Sequence, residues 1–134
     1  MATTTATIAI SSSDIMDGQV ISLSNSTTLK QAASKTGVEE TTGLAMKTLE
    51  STSAADIIDI SDADFSGNAC KLYMKNTSTS TDQYVTIGIG GDEIGRLYGG
   101  DFMFVPYDSA SSADVTATPS TSQKVILEWM IFAG

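Results

Sequence analysis

The chain has 134 residues, of which Ser and Thr, eighteen of each, make up 27 %, set against 7 basic residues, 16 acidic ones and no histidine, for a net charge of −9. Without histidine it cannot run a Ser-His-Asp or Cys-His relay, build a His-bearing zinc site or use imidazole as a pH switch. Its basic residues, Arg96 and six scattered lysines, form no stripe for phosphates, and the acidic balance repels anionic lipid, so neither nucleic acid nor a membrane surface is an expected partner.

Hydrophobic residues at 41 % make this a globular composition. A single domain of this length removes roughly two thirds of its unfolded surface from water, enough for one modest core. Cys70 is alone, so no intrachain disulfide can form, and it reads as a small core residue. Residues 1–13 are uncharged and Thr/Ser-rich, without the charged and apolar regions of a secretory leader. The most apolar run, 125–134, is interrupted by Glu128 and falls short of the ~20 residues of a helical span. A soluble protein is expected.

Thr, Val, Ile and aromatic residues dominate, and apolar residues at helical spacing are nearly absent, which predicts an all-β chain. Residues 5–11 alternate, with Ile8 and Ile10 on one face and Thr7 and Ala9 on the other; turn chemistry follows at 14–18. Residues 19–25 alternate again, Val20, Ser22 and Ser24 opposite Ile21 and Leu23. The stretch 29–42 fits a short helical turn near 31–34 or an extended loop about equally, and is treated as loop. Weak alternation at 43–49 puts Leu44, Met46 and Thr48 on one side, and 55–60 carries Ile57, Ile58 and Ile60 into an acidic turn.

Residues 70–76 are clearer: Cys70, Leu72 and Met74 point one way, and Lys71, Tyr73 and Lys75 the other, the lysines marking a solvated face. A polar turn at 76–82 leads to a strand at 83–90. Gly90-Gly91-Asp92-Glu93 is a hairpin signal, because a tight primed turn needs positive φ. Strands at 94–98 and 101–105 follow on either side of Gly99-Gly100, the second running into Pro106, which suits a strand end or a sheet edge. After a loop at 107–113 and a short segment at 114–118, the last strand, 123–133, is apolar on both faces apart from Glu128. Val125, Leu127, Trp129 and Ile131 lie on one side, and Ile126, Met130 and Phe132 on the other. Such a strand is central in its domain or covered on its outer face by another subunit.

About eight to ten short antiparallel strands, with turn signals every 8 to 12 residues, predict a single-domain β-sandwich of jelly-roll-like topology. The predicted organisation is an N-terminal arm or first strand at 1–13 and one β-sandwich domain at 14–134.

Motifs that carry chemistry are few. Asp62, Asp64 and Ser66 with Gly67 match the first half of a calcium loop, in which alternate oxygens converge on the ion. Tyr73 stands where the bidentate Glu belongs, so a solvated acidic turn is the competing reading, and no metal or other cofactor is expected. Gly88-Ile89-Gly90-Gly91-Asp92-Glu93 has Glu where a dinucleotide fingerprint needs its third Gly, and reads as hairpin glycines. Asn25-Ser26-Thr27 and Asn76-Thr77-Ser78 fit the glycosylation pattern, one that arises easily by chance in so Ser/Thr-rich a chain. Asp92, Glu93 and Asp101 are the nearest candidates for a carboxylate pair, but beside glycine turns they read as turn formers, and the expectation is that the protein is not an enzyme. Tyr73, Tyr84, Tyr98, Tyr107 and Trp129 would suit a sugar platform or core packing.

Several blocks together resemble small virion structural proteins of tailed bacteriophages, especially those of marine and cyanobacterial hosts. They are the ATTTATIAISSSD opening, Thr42-Gly43-Leu44 followed by Lys47, 71–78, 84–88, 94–102 with Phe104 and Pro106, and Glu128-Trp129-Met130-Ile131-Phe132. The resemblance spans most of the chain. It implies a β-rich capsid decoration or cement protein that binds and stabilises the assembled head, with no catalytic residues to transfer. The implied partners are the major capsid protein and the chain itself, as a trimer or other small homo-oligomer, and the implied place is the outer capsid surface of a virion made in the bacterial host cytoplasm. A tail, neck or fibre-associated subunit and a host-surface carbohydrate-binding module are the alternatives.

Overall fold

A computed structural model of the chain describes residues 3–31, 34, 36–38, 40–59, 69–109 and 114–133. Among these residues there are strands and turns but no α-helix, and every strand pairing is antiparallel. The all-β expectation holds. Two compact units make up the chain, residues 1–39 and 40–134.

The first unit is a hairpin of β1 (Thr5–Met16) and β2 (Gln19–Thr28), closed by the turn at Asp17-Gly18. β1 therefore runs past Ser13 and is one half of a ribbon. Its register slips between Ser12 and Met16, where Ser12 Oγ accepts the Ile15 amide at 3.2 Å and donates to Asp14 Oδ1 at 3.0 Å. A Ser hydroxyl thus replaces a missing ladder bond. Beyond β2, the Leu29 amide donates to Thr4 O, the Gln31 amide to Thr36 O and the Val38 amide to Leu29 O, around a bridge of Lys30 with Gly37. That part of the 29–42 stretch is an extended turn, with no helix among its described residues.

The second unit is built from β3 (Glu40–Thr41), β4 (Ala45–Leu49), β5 (Ala55–Ile58), β6 (Ala69–Asn76), β7 (Tyr84–Ile89), β8 (Asp92–Tyr98), β9 (Phe102–Asp108), β10 (Val115–Pro119) and β11 (Val125–Ala133). One sheet has the order β3-β11-β6-β9 with β4 also on β11, and the other runs β5-β10-β7-β8. Their inner faces share one core, Leu72, Met74, Leu127 and Ile131 from the first sheet packing with Val85, Ile87, Leu97 and Val115 from the second. This is a β-sandwich arrangement. The eleven strands among the described residues exceed the eight to ten expected because residues 40–49 divide in two. Ile131 binds Thr42 instead of a strand residue, its amide donating to Thr42 Oγ1 at 3.0 Å and its carbonyl accepting the Thr42 amide at 3.2 Å. Gly43 follows in a left-handed conformation, with φ of +67°.

The alternation in β6 places Cys70, Leu72, Met74 and Asn76 inward, all buried. β11 is central, held by β6 on one edge and by β3 and β4 on the other. Pro106 lies in β9, the edge strand, opposite Lys71, but the strand continues past it to Asp108. An edge strand needs no amide on its outer side, so the ring costs no ladder bond there. The glycine run is the β7–β8 hairpin turn, with φ of +64° at Gly90 and +89° at Gly91. Gly99 serves a different need: a Cβ there would strike the backbone carbonyls of Ser78 and Ser80, so only glycine lets the 77–83 loop lie against the end of β8.

Two inward groups are chemically unusual for this core. Cys70 is buried, its Sγ 3.9 Å from Ser109 Oγ, and burial pushes its thiol above the ordinary range. Tyr107, 4 % exposed, has its phenol pushed up to about 12, mainly by burial and then by neighbouring negative charge. An unfolded chain releases that proton near pH 10 while the folded one keeps it to about 12, so stability is unaffected below pH 10 and falls as pH rises through this window. The loss expected is about 2–3 kcal/mol. Urea midpoints measured across the window should fall less steeply for Tyr107→Phe than for the native protein.

Candidate interaction surfaces

The β1–β2 ribbon separates its two faces by chemistry. Its register sets Thr7 opposite Ser26, Ala9 opposite Ser24 and Ser11 opposite Ser22 on one side, and Ile8 opposite Asn25, Ile10 opposite Leu23 and Ser12 opposite Ile21 on the other. On the hydroxyl face the Thr7 and Ser26 side chains meet at 3.0 Å. On the aliphatic face Ile8, Ile10 and Leu23 are 44 %, 51 % and 45 % exposed. A lone two-stranded hairpin is at best marginally stable in water, so an exposed apolar face on one asks for a covering surface.

The outer faces of the sandwich differ in the same way. The four-stranded sheet presents Tyr84, Thr86 and Gly88 of β7 beside Thr118 and Thr116 of β10, a polar stretch bordered on β8 by Tyr98, Arg96 and Ile94, the last 52 % exposed. The five-stranded sheet presents the row Phe102, Lys75, Glu128, Met46 and the row Phe104, Tyr73, Met130, with Pro106, Lys71 and Phe132 beyond. Phe102 and Met46 are 60 % and 64 % exposed. Phe104 and Phe132 meet edge to face with centroids 6.5 Å apart. Tyr73 Oη donates to Glu128 Oε2 at 2.9 Å, and burial followed by this bond pushes its phenol up. The lysine stems lie among these rings, so the face is apolar with charged tips.

A third surface joins β7 and β8. The rings of Tyr84 and Tyr98 stack tilted with centroids 5.2 Å apart, and the Arg96 guanidinium lies 4.6 Å over Tyr84. Arg96 also pairs loosely with Glu93 at 3.7 Å. Next to Tyr84 an open polar cleft of about 410 Å³ is lined by Ser80, Asp82, Gln83, Ser120, Thr121 and Gln123. Gln83 Nε2 donates to Gln123 Oε1 across it.

Of the five aromatic residues considered for a sugar platform, only Tyr84 and Tyr98 meet. Tyr107 is buried, Trp129 packs against the core, and Tyr73 lies on the opposite sheet. Asp101 Oδ2 accepts the Tyr98 amide at 3.0 Å and Asp92 opens β8 at its turn, the turn roles their glycine neighbours suggested. Asp62, Asp64 and Ser66 lie outside the described residues. Among the described residues no group of three or more acidic or sulfur side chains is placed to hold a metal ion, and no helix is long and apolar enough to cross a membrane. The exposure of Phe102 and Phe104 was missed from sequence, because it depends on β9 lying at a sheet edge. Comparison with protein-family models, curated proteins and solved structures finds no match to this chain.

Proposed function

We propose that the protein is a structural virion protein of a tailed bacteriophage, a decoration or cement subunit that binds the assembled head through the outer face of its five-stranded sheet. The carrying observation is the contrast between the two outer faces of the sandwich: one threonine-rich across β7 and β10, with Ile94 and the Tyr84–Tyr98 pair toward its β8 edge, the other bearing exposed Phe102, Phe104 and Met46 across its strands. Apolar surface of that kind, rimmed by charge, is what protein interfaces are made of. The sequence blocks that resemble phage structural proteins include parts of this face, in 71–78, in Phe102, Phe104 and Pro106, and in 128–132, as well as parts of the other sheet, in 84–88 and 94–98. A subunit that binds only the assembled shell stabilises it by mass action, multiplied over many copies. The partner is the major capsid protein and the place is the outer capsid surface.

The test is to add purified protein to heads lacking it and measure bound copies and the temperature at which heads open. Binding near one copy per coat subunit, a raised opening temperature, and loss of both with Phe104→Glu are expected. A handful of copies per particle, or gold label on the tail, would replace this reading with a tail, neck or fibre subunit. The Tyr84–Tyr98 pair beside an amide- and hydroxyl-lined cleft favours a second reading, a carbohydrate-binding module. Capture on a glycan array that disappears with Tyr98→Ala would support it, and a blank array would count against it.

A further inference from the structure

We infer that the aliphatic face of the β1–β2 ribbon is a self-association surface, covered by the same face of a second copy of this chain. The first ground is register: the pairing of Ile10 with Leu23, flanked by Ile8 and Ile21, puts the aliphatic side chains of the ribbon stem on one side, while the other side holds hydroxyls and Ala9, with Val20, 77 % exposed, only next to the turn. A one-residue slip would mix the two faces, so the ribbon specifies a dry side. The second ground is charge. Between Thr5 and Thr28 the only charged residues are Asp14 and Asp17, near the turn, whereas the other 14 acids and all 7 bases lie beyond it. In a chain of net charge −9, copies repel one another over most of their surface, and the uncharged ribbon stem is where they can approach without that repulsion.

The geometry of the contact follows. Two ribbons laid face to face pack about 10 Å apart, as stacked sheets do, and a two-fold arrangement counts each aliphatic side chain twice. A stem of ten residues is about 33 Å long and covers only a few hundred Å² per copy, below the roughly 800 Å² of a standard interface. The association is therefore reversible and strengthens when copies are held close together. It does not depend on the shell-binding role proposed above, and free protein tests it.

Sedimentation of the full chain from micromolar to millimolar concentration should show a monomer passing to a larger species. Ile10→Thr with Leu23→Thr places strand-forming β-branched residues at both positions but removes the apolar surface, and should raise the dissociation constant about a hundredfold. Ser24→Asp, on the hydroxyl face, should leave association in place. In mild oxidant, Leu23→Cys should form a covalent dimer faster than Ser24→Cys. A chain monomeric throughout overturns the inference, as does equal cross-linking from both faces. Self-association that survives the double substitution but is lost with Phe104→Glu overturns it too, assigning the contact to the sandwich.

Discussion

Replacing Asn76 by alanine is expected to lower the unfolding free energy by about 3 kcal/mol, more than any surface substitution in this protein. Asn76 is fully buried at the end of β6, and its side-chain amide ties that strand to β8 of the other sheet and to the 77–83 loop. Nδ2 donates to the carbonyl of Leu97 in β8 at 2.9 Å and to that of Gln83 at 3.2 Å, while Oδ1 accepts the Ser78 amide at 2.9 Å. Its own backbone bonds Asp101 and Gly100. Truncation strips three main-chain groups of a partner in a place water reaches poorly, and each orphan costs on the order of 1–3 kcal/mol when it stays buried. Asn76→Leu restores most of the volume without the bonds. If it recovers the stability lost in the alanine variant, as read from urea midpoints, the amide acts as filler and this account fails.

The second large effect is expected at Leu127, where alanine should cost about 3–4 kcal/mol. The side chain is 0 % exposed, in the middle of β11, between Lys47 of β4 and Asn76 of β6. Neighbours on two strands are held by their own ladders and cannot collapse into the space, which keeps the cavity term near its full size. Met46→Ala, on the same sheet but 64 % exposed, should stay within about 0.5 kcal/mol. Chemical denaturation of the two variants side by side checks the contrast. With total stabilities of about 5–15 kcal/mol typical of domains, the Leu127 variant would keep only a fraction of its margin.

These two positions also show what could be read in advance. Leu127 sits in a strand whose alternation is plain, and its inward direction follows from period two alone. Asn76 was legible as the end of a strand and the start of a polar turn, but not as a buried residue, because Asn-Thr-Ser is common turn chemistry. Its burial depends on Gln83 and Leu97, partners brought near by the fold and invisible to any local pattern. The ribbon falls between these cases. Alternation in 5–11 and 19–25 identified the aliphatic side, but the length of β1, its slip after Ser12 and the pairing of Ile10 with Leu23 are set by the Asp17-Gly18 turn. β11 was read as central or covered, and it is central. That its outer face continues into Phe104 and Phe102 follows from strand order, with β6 lying between β11 and β9.

The position of Cys70 gives the molecule a built-in reporter. It is the one cysteine in the chain, on the inner face of β6, and burial makes its thiol inaccessible and harder to ionise than an ordinary one. Alkylation can then proceed only when the sandwich parts. The rate of labelling in the unmodified protein counts openings of the core, free or bound to any partner, without a probe having been introduced.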